Sequence, residues 1–132
     1  MVVDTSALIA ILEREEDAET IVSALEGGSL RLISAGTLLE CTIVALARRG
    51  EAGVDLLREF VSAAGIETVS VTSDLAKIAY EGYVRYGKGR HAAGLNFGDC
   101  FAYALAKNTG ESLLFKGNDF AKTDLVAALP PR

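Results

Sequence analysis

Four acids, Asp4, Glu40, Asp99 and Asp119, stand where a carboxylate invites chemistry. Asp4 ends the short apolar run "MVV", so it projects from the end of a strand, where it serves either a ligand or the helix that follows. Glu40 lies in "GTLLECTIVALARR" (36–49), and its neighbours at helical spacing, Gly36, Thr37, Ile43, Val44 and Ala47, predict an apolar stripe facing the protein. A carboxylate buried there without a partner is costly, so Glu40 needs a cation or a water-filled cleft unless it reaches solvent at the helix rim. Asp99 precedes the almost wholly apolar "CFAYALA" and reads as an N-cap or as an acid aimed outward from a buried helix. Asp119 follows Gly117 and Asn118, an ordinary turn context. If the elements carrying Asp4, Glu40 and Asp99 are neighbours, three carboxylates meet, and their repulsion calls for a hard divalent ion such as Mg²⁺ or Mn²⁺. The natural chemistry of that site is in-line displacement at phosphorus.

The elements that must position these acids follow from hydrophobic period and turn residues. "MVVD" reads as a strand and "SALIAILERE" as a helix; a second helix spans 17–26 and stops at Gly27 and Gly28. "LRLIS" (30–34) is a strand, 36–49 a helix closed by Gly50, "VDLLREFVSAAG" a further helix, and "IETVSV" a strand. A helix over 73–87, a glycine-bearing loop over 87–98, the Asp99 helix, the strand "SLLFK" and a last segment stopped by Pro130 and Pro131 complete the chain. Strands alternating with helices predict an α/β fold, a three-layer α/β/α arrangement around a mainly parallel sheet. Such sheets bind ligands beyond the carboxyl ends of their strands.

The chain of 132 residues suits one domain, expected to span 1–132, and half of its residues are apolar. No apolar run approaches the roughly 18 residues of a membrane span, and the N-terminus has no basic leader, so a soluble, cytoplasmic protein without membrane contact is expected. Cys41 and Cys100 lie far apart within apolar helical patterns and read as buried free thiols. Thirteen Lys and Arg against 18 Asp and Glu leave a net charge of −5, which argues against gripping nucleic acid by bulk charge.

In order, "VVDTSALIAIL", the Glu of "TLLE", "LNFGDCFAYALAK" and "LLFKGNDF" strongly resemble the PIN-domain family, and within it the VapC-type toxins of prokaryotic toxin–antitoxin pairs. The resemblance covers essentially the whole chain. It implies a metal-dependent endoribonuclease that hydrolyses RNA by metal-activated water, leaving 3′-hydroxyl and 5′-phosphate ends. It also implies Mg²⁺ as cofactor with Mn²⁺ substituting, a cognate VapB-like antitoxin and a homodimer. By this resemblance Asp4, Glu40 and Asp99 form the metal-holding triad, and Asp119 is the less regular fourth catalytic acid, although many relatives place an acid at the position of Gly117. Ser6 is expected to orient Asp4, with Asn118 a second supporting residue.

Other features have plainer readings. "GYVRYGKG" (82–89) nearly matches a phosphate-binding loop, but Gly89 replaces the Ser or Thr that would hold Mg²⁺ and the segment follows a helix. The lone His91 excludes a two-histidine ribonuclease; with Lys88 and Arg90 it either meets solvent or steers a phosphate backbone. Arg48 and Arg49 suit a helix C-terminus, while Tyr80, Tyr83, Tyr86 and Phe101 read as packing residues. The rival functions are a non-toxin PIN ribonuclease and a catalytically silent PIN binding module. A receiver-type or haloacid-type phosphohydrolase is disfavoured by Ser6, which stands where a second acid would be needed.

Overall fold

The computed structural model describes residues 1–129. The stop expected at Pro130 and Pro131 lies outside them. Four parallel strands, β1 (Val2–Val3), β2 (Leu32–Ser34), β3 (Glu67–Val69) and β4 (Leu113–Leu114), lie in the order β3-β2-β1-β4. Val2 stands opposite Leu32 and Leu113, and Val3 opposite Leu114. Because strand side chains alternate, this register sorts the strands into two apolar faces. Val2, Leu32 and Leu113 join one core with Leu75, Tyr86, Leu95 and Leu105; Val3, Ile33 and Leu114 join another with Leu8, Ile21, Leu25, Val54 and Leu57.

Helices α1 (Thr5–Leu12), α2 (Ala18–Gly27) and α3 (Ala35–Ala63) cover the Val3 face, while α4 (Ser73–Tyr86) and α5 (Phe97–Thr109) cover the Val2 face. The three-layer α/β/α arrangement expected from the alternation is therefore present. Glu67 and Thr68 of edge strand β3 are exposed, which suits an unpaired sheet edge. Among the described residues no helix is long and apolar enough to cross a membrane.

The two helices expected on either side of Gly50 form one element, α3, broken at Gly50 with φ 65° and ψ −160°. Only glycine adopts that backbone without strain. The break lets the second half turn Val54 and Leu57 back into the core. Arg49, read in the sequence as a helix-end charge, pairs with Glu13 near the end of α1 at 3.0 Å.

A strand leading into a helix on a parallel sheet places the helix start at the carboxyl edge. The chain therefore delivers the first turns of α1 and α3 to the edge where β1 and β2 end, and α5, which leads back toward β4, begins there as well. Chain order also reverses between β1 and β4, the kind of crevice where α/β sheets hold ligands.

Gly50→Ala should lower the unfolding free energy by about 1–3 kcal/mol through the forced backbone conformation. A urea melt checks this as a shifted midpoint with an unchanged slope.

Candidate active site

Asp4 leaves β1 in extended conformation and caps α1. Its Oδ2 accepts hydrogen bonds from the Ser6 N–H at 3.0 Å and the Ser6 hydroxyl at 2.7 Å. Ser6 Oγ in turn accepts from the Lys116 N–H at 2.9 Å, tying the start of α1 to the chain just beyond β4. Asp4 is only 3% exposed, and among the described residues its Oδ1 is buried without any partner. A buried carboxylate oxygen without a donor is rare because its lost hydration goes unreplaced.

Glu40 lies in the second turn of α3. Its Oε1 accepts from the Thr5 hydroxyl at 2.7 Å, and among the described residues no Lys or Arg pairs with it. Its carboxylate rests against the backbone of Gly98, where an added methyl group would overlap Glu40 Oε2. The stripe expected around Glu40 is corrected by the structure: Ile43 is 57% exposed and Ala47 is exposed, while the buried ridge runs through Thr37, Cys41 and Ala45. Helix α3 is rotated so that Glu40 sits at the boundary between core and solvent, half-buried.

Asp99 is not the N-cap of its helix. Asn96 holds that place, its Oδ1 accepting from the Asp99 N–H at 2.9 Å, while Asp99 Oδ2 accepts from the Asn96 N–H at 3.0 Å. This reciprocal capping box starts α5 at Phe97, two residues before the acid, and fixes the Asp99 side chain in the first turn.

The three acids interact. Burial pushes the Asp4 pKa up to about 6; the Ser6 hydrogen bonds oppose that shift, and the charges of Asp99 and Glu40 add to it. The Asp99 pKa is raised first by burial, against the Asn96 N–H bond, and further by Glu40 and Asp119. The structure thus brings Asp4, Glu40 and Asp99 together, with Asp119 exposed ahead of the 3₁₀ helix Phe120–Lys122 and near enough for its charge to act on Asp99. Asn118 is also exposed and lines a different cleft with Lys116, Asp17 and Leu129. Cys41 and Cys100 are free and buried, as expected, and burial plus the neighbouring acids raises their thiols to about 12 and about 11, holding them neutral.

Among the described residues no three His, Cys, Asp or Glu side chains converge as a ready-made metal shell. Mg²⁺ does not require one, since it keeps several waters and binds through one or two carboxylates. The all-oxygen donor set and the unpartnered Asp4 Oδ1 fit such an ion.

The sequence reading passed over Thr5 and Gly98. Their signal was a hydroxyl directly after the strand-ending acid and a glycine directly before Asp99. Other expectations separate as well. Residues 82–86 finish α4, so no phosphate loop exists there. His91 Nδ1 accepts from the Ala93 N–H, and its ring meets Tyr86 edge-on. Tyr86 is buried and Phe101 lies over Gly36, but Tyr80 is 70% exposed and does not pack. With Tyr83, Phe101 and the 79% exposed Phe97 it borders an apolar groove between α4 and α5.

A PIN domain model matches residues 1–126. The chain is 48% identical over 131 residues to ribonuclease VapC30 of Mycobacterium tuberculosis, spanning 99% of this chain and 100% of the relative. The crystal structure of VapC20 from the same organism, described as a sarcin–ricin loop cleaving toxin, shares the fold with a TM-score of 0.76 at 20% identity, covering 95% of both chains. VapBC2 from Rickettsia felis, solved bound to a DNA fragment from their promoter, gives a TM-score of 0.73 at 14% identity over 96% of this chain and 94% of that one.

The raised Asp4 pKa has a consequence for stability. Between its ordinary value of 3.8 and about 6, the folded protein keeps a proton that the unfolded chain has released. This contribution is complete below the lower value and lost as pH rises through the upper one. Asp4→Asn, which does not titrate, should therefore gain on the wild type as pH rises, becoming more stable by about 1–3 kcal/mol at pH 8 in chelator. Urea melts at pH 4.5 and pH 8 measure the difference.

Proposed function

This chain belongs to the PIN-domain family, and on that premise we propose that it is a VapC-type toxin, an endoribonuclease restrained by a cognate VapB-like antitoxin. The observation that carries the reading is the buried, unpartnered Oδ1 of Asp4 beside Glu40 and Asp99. A module with no cation to hold has no physical reason to keep three acids in mutual repulsion. Asp4 and Asp99 hold the ion with their free oxygens, and Glu40 completes the acidic pocket. When bound, Mg²⁺, or Mn²⁺ in its place, neutralises the acids, lowers the pKa of a water and stabilises the departing oxygen. Ser6 keeps Asp4 in one orientation through its two hydrogen bonds, and Asp119 extends the acidic rim toward the substrate. The acidic net charge is then no obstacle to binding RNA, because the pocket presents positive charge locally to one phosphate. The same reading places the protein in the cytoplasm as a single domain.

Two faces support the partners. On α3, Leu39, Ile43 and Leu46 are 62%, 57% and 46% exposed at spacings of four and three, one uncovered apolar stripe. We assign it to an amphipathic segment of the antitoxin. Between α4 and α5, Phe97 protrudes beside the groove lined by Ala76, Ala79, Tyr83 and Phe101. A projection and a groove on one surface are self-complementary about a two-fold axis, which suits a homodimer.

Asp99→Asn should reduce cleavage of total RNA by at least ~100-fold in Mg²⁺ while leaving the fold intact. Gel assays with circular dichroism decide this, and undiminished cleavage by a folded variant or in chelator overturns the catalytic reading. Ile43→Glu should leave cleavage intact but prevent rescue of growth by the co-expressed antitoxin. Co-purification and growth assays check both halves.

A further inference from the structure

Of the three acids that meet at the sheet edge, Glu40 is the one without a local backbone donor. Asp4 and Asp99 are each fixed by N–H groups within their own helix turns, whereas Glu40 projects from the second turn of α3, past its capped end, on a long, flexible side chain. Two contacts hold it, and both come from other elements. The Thr5 hydroxyl, on the first residue of α1, donates to Glu40 Oε1 at 2.7 Å; its alternative acceptor, the Thr37 carbonyl, is 3.4 Å away. The much shorter of the two contacts commits the hydroxyl proton to the carboxylate.

Gly98 forms the other side of the seat. It lies buried in the first turn of α5, where glycine is among the least helix-favouring residues. No left-handed backbone accounts for the choice, since Gly98 is absent from the positive-φ glycines. The space a side chain would fill is taken by the Glu40 carboxylate, so an alanine there must displace it.

We propose that Thr5 and Gly98 are positioning residues, which together seat the Glu40 carboxylate beside Asp4 and Asp99 for the divalent cation. The proposal rests on the nuclease reading above and deepens it. Thr5→Val keeps the shape and removes the donor, and the carboxylate is then free to swing toward solvent. Gly98→Ala keeps the helix, improves its intrinsic propensity and pushes the same carboxylate away, since only the far end of a flexible side chain stands in the way. Neither change removes an acid.

The test is Mn²⁺ binding to the full-length chain, followed by electron paramagnetic resonance of the free ion, with metal-free melting temperatures alongside. Thr5→Val and Gly98→Ala should each weaken Mn²⁺ binding by roughly 10–100-fold, with Thr5→Ser retaining wild-type binding and Gly98→Ala losing no metal-free stability. Because Thr5 acts through Glu40, the double variant Thr5→Val, Glu40→Gln should bind no more weakly than Glu40→Gln alone. Wild-type affinity in both Thr5→Val and Gly98→Ala, or additive losses in the double variant, overturns the seat while the nuclease reading stands, provided Asp99→Asn still loses Mn²⁺. A wild type that binds no Mn²⁺ overturns both.

Discussion

The repulsion among Asp4, Glu40 and Asp99 is the constraint around which the rest of the molecule is organised. Three carboxylates near one sheet edge disfavour the folded state, and burial of Asp4 adds the loss of its hydration. Each acid offsets part of this cost in the same way, by committing one oxygen to a nearby donor. Asp4 Oδ2 takes Ser6, Asp99 Oδ2 takes the Asn96 N–H, and Glu40 Oε1 takes Thr5. The uncommitted oxygens remain for the pocket, and at Asp4 that oxygen is buried with no group among the described residues to satisfy it. Local hydrogen bonding thus fixes the geometry, and the unmet electrostatic demand falls to a cation.

The parallel sheet supplies the convergence. Residues 36 and 95 positions beyond Asp4 become its neighbours because the helices that carry them begin at the carboxyl edge. The two apolar cores on either face of the sheet make that edge rigid. Rigidity matters because a pocket built from like charges would otherwise open, each side chain relaxing toward solvent.

Much of this was legible in the sequence. The alternation of strands and helices gave the layers, Gly50 marked the break in α3, and the position of Asp4 after "VV" located the first acid. The errors have identifiable causes. Asp99 resembled an N-cap because acids and Asn share that preference, and only the backbone shows that Asn96 lies in the extended conformation while Asp99 is already helical. The stripe through Ile43 and Ala47 is two residues removed from the buried ridge through Cys41 and Ala45, and a helix segment with apolar residues on several faces does not show by period alone which face is buried. Tyr80 is exposed although it lies in an amphipathic helix, because the groove it borders is left open by the single chain. The seat of Glu40 was hidden for another reason: it joins residues 5, 40 and 98, and no local pattern links them.

The central claim, that divalent cation binding answers the electrostatic demand of the buried acids, is tested most directly by proton release. With Asp4 raised to about 6, a fraction of the folded molecules carry a proton near that pH which the cation must displace. Titration calorimetry of Mn²⁺ binding, repeated in buffers of different ionisation enthalpy, counts those protons. The account predicts release on the order of half a proton per cation at pH 6, fading toward zero at pH 8. Binding with no proton release at pH 6, at an affinity unchanged from pH 5 to pH 8, would contradict it.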